Sequence, residues 1–368
     1  IPSKDNYKIL ERCVKTLVDL TSYQNYEIII VDNGSNDENK SKYAELCKKN
    51  SAKYIYEKME FNFSKMCNLG VQKASGEYYL FLNDDIEIIN NEWLERMLGQ
   101  AMLPHSGAVG AKLLYPNSTK IQHDGIINIE NGPCHAFLGY DDKNIYYFGR
   151  NRLTYNYVAV TAACLLIRAD KFNQIGGFDE DLRVAYNDVD LCFKLVEAGY
   201  YNTVRNDVIL YHHESLSRGD DTANKEKMER LMREQARLYE KHKKLAKYDP
   251  FYNINLTQNA IDFSLNRSYS EVLCNEVKKS MKEYKLSGSI IGNVDDAIAG
   301  EYIMLKGWFI NSDSNKNNEA TRRLILENNT GAYVISTTPE YRNDVGDAMP
   351  ERPDVDFCGF VCYIKKEH

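Results

Sequence analysis

The chain has 368 residues, of which 43% are hydrophobic and 27% charged, with a formal net charge of −7. That is a globular composition with more chain than one ordinary core uses, so a large domain and a smaller one are expected, and the acidic balance argues against a nucleic-acid partner, whose phosphates call for a basic excess. The nine cysteines are scattered without a CxxC pair, and Cys358 and Cys362 have neither a zinc nor a redox spacing, a usage that points to reduced thiols in a cytoplasmic protein.

The opening "IPSKDN" reads as the end of a strand and not as a leader, so further residues are expected before Ile1. A helix over about 7–20 follows, then the strand "YEIIIVDN", a helix over about 38–50, the short strand "AKYIYE", a helix over about 63–74 and the strand "EYYLFL". Apolar runs of this length between amphipathic helices predict a mostly parallel sheet covered on both faces. Ligands of such sheets bind outside the carboxyl ends of the strands. Polar clusters stand at three strand ends: "PSKD" at 2–5, "VDNGSND" at 31–37 and "LNDD" at 82–85. If the strands are neighbours, all three open onto one crevice.

Two adjacent carboxylates at a strand end, Asp84 and Asp85, repel each other and resist burial unless a cation or a ligand compensates. Hard divalent ions accept such oxygens and bridge them to a diphosphate. An isolated "NDD" would be an ordinary acidic turn; its neighbours shift the balance. The Asp, Asn, Gly and Ser residues after "EIIIV" suit either a nucleotide's base and ribose or plain turn and capping chemistry. The longest apolar run, "VAVTAACLLI" at 158–167, is about half of a bilayer crossing and is expected to be a buried strand. A second acidic cluster, Tyr186-Asn187-Asp188-Val189-Asp190, opens a helix, where Asp188 taken alone reads as an N-cap. The strand "TVRNDVILYHH" ends in His212 and His213, beside an acid site a plausible source of a third ligand.

A long helix at 222–248 carries a mainly Lys/Arg face, read as a solvated face with anionic lipid as the alternative. Residues 251–285 are expected to form a linker and helix. From 286 to 368 short alternating strands, "EYIMLKGWFI", "RRLILEN", "AYVISTT" and "FCGFVCYI", predict a small all-β, sandwich-like accessory domain. Trp308 or Tyr341 on an open face there would favour sugar binding over a packing role.

The ordered segments "IPSKDN", "EIIIVDNGSND", "ASGEYYLFLNDDIEI", "GAVGAKLLYPNSTKIQHDG", "TAACLLIRADKFNQIGGFDEDLRVAYNDVDLCFKLVEAGY" and "VILYHHESLSR" resemble family 2 glycosyltransferases of the GT-A fold, closest to bacterial rhamnosyl- and galactofuranosyl-transferase-like enzymes of surface polysaccharides. The resemblance covers roughly residues 1 to 260, which sets a catalytic domain at 1–250. It implies a nucleoside-diphosphate sugar donor, UDP- or dTDP-linked, an Mn²⁺ or Mg²⁺ ion, and a polysaccharide or lipid-linked glycan acceptor met at the inner face of the cell membrane. The family's DxD motif falls on Asn83-Asp84-Asp85, with Asn at the first acid; Asp85 then corresponds to the main metal ligand and Asp84 to a partner on metal or ribose. Its nucleotide-contacting segments fall on Pro2, Ser3, Lys4, Asp5, Asp32 and Asn33. Its catalytic base falls on Asp188, preceded here by Asn187, and its metal-binding histidine on His212, with His213 second. The QxxRW signature of processive members is absent, since neither Trp93 nor Trp308 follows an arginine. The resemblance thus implies a metal-dependent, inverting transferase that adds one sugar per encounter. The rivals are a sugar nucleotidyltransferase, against which "PSKDNYK" lacks the glycines of a triphosphate loop, and a glycan-binding scaffold with a decayed site.

Overall fold

The computed structural model describes residues 1–213, 225–246, 248–266, 277–279, 289–299, 302–320, 322–328 and 331–365. The chain divides into two compact units, Ile1–Ser264 and Leu265–His368.

The first unit begins with a three-stranded parallel sheet, β1 (Pro2–Ser3), β2 (Ile29–Asp32) and β3 (Lys53–Tyr56). Helix α1 (Tyr7–Leu20) lies between β1 and β2 in sequence, and α2 (Asp37–Lys49) between β2 and β3. The α2 N-terminus is fixed by Asn36, whose side chain accepts from Asn39 N, and its acidic first and basic last turns complement the helix dipole. After α3 (Phe63–Val71) the chain enters β4 (Tyr78–Leu82), β5 (Ile86–Glu87), α4 (Trp93–Ala101) and β6 (Ser106–Leu114).

The larger sheet runs in the order Tyr155–Tyr157 (β10), Tyr201–His212 (β12), β6, Cys164–Arg168 (β11), β4. It is mixed: β12 is parallel to β6, while β11 lies antiparallel between β6 and β4. The run 158–167 is indeed buried, but only its second half forms β11; residues 158–163 are a buried loop, which is what the site needs.

Side chains alternate across this sheet into two cores. Ala108, Leu165, Ile167, Phe81 and Val204 face one, with Phe172, Leu191 and Leu195 of the helices Ala169–Gln174 (α5) and Asn187–Glu197 (α6). Val109, Ala111, Leu113, Cys164, Leu166 and Leu210 face the other, with Leu10, Val14, Trp93 and Met97 of α1 and α4. The α/β fold with helices on both faces is therefore present.

Helix α7 (Lys225–Lys241) lies within the long helix expected at 222–248; residues 222–224 and 247 fall outside the described ones. Its cations are partly spent on the segment leading into α6: Arg237 pairs with Asp179 at 3.2 Å and Lys241 with Asp179 at 2.7 Å, and His242 just beyond it pairs with Asp190 at 3.1 Å. Residues 251–264, read as the start of a linker, belong to the first unit, because Tyr252, Leu256 and Phe263 are buried in its core. The helix expected up to 285 falls outside the described residues except at 277–279, which form a strand instead.

Among its described residues the second unit is built of strands, with a 3-10 turn at Asn317–Glu319 and a short helix, α8 (Asn343–Ala348). A three-stranded antiparallel sheet orders Val277–Lys279 (β13), Gly331–Ser336 (β17) and Arg323–Asn328 (β16). A four-stranded one orders Ile290–Ala299 (β14), Tyr302–Asn311 (β15), Gly359–Lys365 (β19) and Thr338–Glu340 (β18). Ile335 of the first packs with Cys362 and Ile364 of the second. Trp308 packs against the cluster of Ile310, Val345, Val355 and Cys358, whereas Tyr341 is exposed beside Phe357, ring centroids 5.2 Å apart.

Candidate active site

The buried strand β4 runs into Asn83, Asp84 and Asp85 where a tight turn lets the chain reverse. Asn83 N donates to Ala163 O at 3.0 Å and Ile86 N returns to Asn83 O at 3.3 Å. The next residues pair as β5 with the end of β12, setting His212 opposite Ile86, and His213 N donates to Asp85 O at 2.9 Å. That register brings Asp85 and His212 face to face. Asp85 Oδ1 and His212 Nε2 are 3.0 Å apart, both side chains nearly buried, and neither atom has a hydrogen-bond partner. His212 Nδ1 lies 2.7 Å from Gln122 Oε1, which can only accept, so the proton sits on Nδ1 and Nε2 turns its lone pair to the carboxylate. Two electron-rich atoms so placed need a positive charge, a second proton on the ring or a metal ion. One carboxylate oxygen and one imidazole nitrogen can ligate a first-row divalent ion, Mn²⁺ among them.

His213 is drawn elsewhere, Nε2 standing 2.6 Å from Glu87 Oε2, so of the two histidines His212 faces the acid turn. Asp84 does not join Asp85 and His212, contrary to its expected share in the metal. Its Oδ2 accepts from Ser3 Oγ at 2.6 Å, and Ser3 Oγ also meets Tyr43 Oη at 2.7 Å. Burial pushes the Asp84 carboxyl up to about 6, with neighbouring Asp85 adding and the Ser3 hydroxyl opposing. Among the described residues no three His, Cys, Asp or Glu side chains converge as a metal cluster.

The other two strand ends meet beside this turn. Pro2 and Ser3 pair with Val31 and Asp32. Asp32 is fully buried and spends its oxygens on the loop: Ser35 N donates to Oδ1 at 2.8 Å and Tyr54 Oη to Oδ2 at 2.6 Å. Gly34, at φ +79° with Lys58 against it, closes that loop where a Cβ would be strained. Asp5 likewise holds the segment, accepting from Asn36 N at 2.9 Å and Asn39 Nδ2 at 3.1 Å. Lys4 is exposed. Asn33 differs: it is fully buried and both amide atoms lack partners, the condition of a group that awaits a ligand.

Asp188 lies in the first turn of α6, where the macrodipole favours negative charge. It is not the N-cap; Tyr186 is, at φ 57°. Its Oδ2 accepts from Ala162 N at 3.1 Å and Oδ1 from Val189 N at 2.9 Å. Ala162 thus touches Asp188 while the next residue, Ala163, accepts from Asn83. The buried loop before β11 separates the carboxylate of α6 from the acid turn by one residue. Sequence reasoning missed Gln122 and His123, in the wholly buried strand β7 (Ile121–His123). No local signal marks them in the polar run "NSTKIQHDG"; only their burial in the fold does.

Residues 1–176 match the glycosyl transferase family 2 model. They are a family 2 glycosyltransferase domain. The uncharacterized protein y4gI of Sinorhizobium fredii is 38% identical over 271 residues, 72% of this chain and 30% of that protein. The O-antigen biosynthesis protein RfbC of Myxococcus xanthus is 33% identical over 272 residues, 73% of this chain and 21% of its own length. The chain therefore spans less than a third of either relative. The structure of GalNAc-T7 with UDP, GalNAc and Mn²⁺ superposes with TM-score 0.50 at 12% identity, covering 98% of this chain and 78% of that one, a likeness of fold.

Proposed function

We propose that this chain is a metal-dependent, inverting, non-processive glycosyltransferase that moves a sugar from a UDP- or dTDP-linked donor to a hydroxyl of a growing surface polysaccharide, lipid-linked or free. The observation that carries the reading is the orphaned pair Asp85 Oδ1 and His212 Nε2, 3.0 Å apart, with Asp188 held by the same short loop. Asp85 and His212 would hold an Mn²⁺ or Mg²⁺ ion, which supplies Lewis acidity toward the departing diphosphate. Two ligands leave room for donor phosphate oxygens. Asn33, with its free amide, and the backbone of Pro2, Ser3 and Lys4 would contact the nucleoside; Asp5 and Asp32 would act by shaping those loops.

A sugar hydroxyl is a weak nucleophile. Asp188 would accept its proton as the oxygen bonds the anomeric carbon and the bond to the diphosphate oxygen breaks on the other face, inverting the centre. With no QxxRW motif, one sugar is added per encounter. The acceptor would be met at the inner face of the membrane; among the described residues no helix is long and apolar enough to cross it. In the second unit the exposed Tyr341 and Phe357 favour a glycan-binding role over a packing one.

A thermal-shift screen of UDP- and dTDP-sugars with and without Mn²⁺ tests the reading. A rise in melting temperature is expected only when nucleotide sugar and ion are both present. Stabilisation by nucleotide alone, unchanged by Mn²⁺ and by Asp85→Ala, would overturn the metal-dependent assignment.

A further inference from the structure

Strand β7 joins the two halves of the site. Neighbouring residues on an extended strand point to opposite sides, and here Gln122 goes to His212 while His123 goes to the loop that holds Asp188. His123 is buried, and its Nε2 receives two backbone N–H groups, from Gly125 at 3.3 Å and Thr161 at 3.4 Å. Nε2 is therefore the unprotonated nitrogen. Nδ1 carries the hydrogen, 2.9 Å from His135 Nδ1, which accepts it. A ring buried between these partners is held neutral, burial pushing its pKa well below the usual value.

The consequence lies one peptide further on. Thr161 N is fixed by His123, Ala162 N by Asp188 Oδ2, and Ala163 N folds back to Thr161 Oγ1 at 3.3 Å. Rotation of the Thr161–Ala162 peptide would move the Asp188 contact directly. We propose that His123 is a positioning residue for the transfer step, holding the Thr161–Ala162 segment so that it donates to Asp188, with His135 fixing the His123 tautomer. This rests on the reading of Asp188 as the base. His123 itself touches neither donor nor acceptor in this account.

The chain in its described length is assayed with Mn²⁺ for release of nucleoside diphosphate from UDP-glucose, UDP-galactose, UDP-N-acetylglucosamine and dTDP-rhamnose, as wild type, His123→Leu, His123→Gln and Asp188→Asn. His123→Leu removes the acceptor and is expected to lower kcat by 10- to 100-fold with donor KM unchanged, as for other groups that orient a reacting residue. His123→Gln restores a carbonyl acceptor and is expected to recover most of the loss. A donor KM that worsens in step with kcat would place the effect on the ion side through Gln122 and overturn the proposal, as would full activity in His123→Leu. If Asp188→Asn stays active the base assignment fails; if it is dead while His123→Leu is normal, only the His123 proposal fails. A structure of His123→Leu is decisive without turnover: Ala162 N should leave hydrogen-bond distance of Asp188 Oδ2, and an unmoved 161–163 segment refutes the idea.

Discussion

Asp124, the residue after His123, offers a test of the buried scaffold under the site. It is fully buried, and neither carboxyl oxygen has a partner. Its neighbour is the Asn206 side chain, whose Nδ2 is committed to Arg150 O at 2.7 Å and Leu153 O at 2.9 Å, leaving an unpartnered Oδ1. Ionising a carboxyl in such a buried site is costly, which favours the neutral acid. Burial pushes its pKa up from 3.8 to about 7, against the opposing Lys112 charge and the Asn206 side chain.

The native state then binds a proton that the unfolded chain releases near pH 4. Stability falls as pH rises between about 4 and 7. At about 1.4 kcal/mol per pH unit the full loss is about 4 kcal/mol, of which about 3 falls between pH 5 and 8. Asp124→Asn keeps the side-chain size and carries no charge. Urea unfolding of wild type and variant is followed by Trp93 fluorescence in a Trp308→Phe background. The stability gap in favour of Asn should widen by about 3 kcal/mol from pH 5 to pH 8. A gap independent of pH would refute the neutral-acid assignment.

Other consequences are equally direct. Ser3→Ala strips a buried carboxylate of one donor and should cost about 1–3 kcal/mol in urea unfolding at pH 8; an unchanged midpoint would mean that the contact to Asp84 is dispensable. His212→Ala should abolish Mn²⁺-dependent binding of UDP or dTDP in calorimetry while His213→Ala leaves it intact, and the reverse order would reassign the ligand.

The parts of the fold legible in the sequence are those with local causes. Helix α1 and strand β4 follow from apolar spacing, and the strand-end clusters are visible because carboxylates interrupt hydrophobic runs. What stayed hidden depends on partners far along the chain. Nothing local says that β11 inserts antiparallel between β6 and β4, nor that Asp84 turns to Ser3 while Asp85 turns to His212, since adjacent acids look alike until their neighbours are placed. Strand β14, "IIGNVDDAIA", is masked by Gly, Asn and Asp on an exposed edge. Gln122 and His123 were visible as letters, but their roles come from contacts 90 and 38 residues away.

The central claim is a division of labour in which Asp188 takes the acceptor's proton while Asp85 and His212 face the leaving diphosphate. Asp188→Asn can keep one oxygen for Ala162 N, at the loss of the Val189 N contact, and removes the capacity to bind a proton. Measured side by side for Mn²⁺-dependent nucleotide-sugar binding and for sugar transfer, it should bind like wild type and turn over about 10²- to 10⁴-fold more slowly. Near-normal turnover, or loss of binding in proportion to loss of rate, would contradict the account.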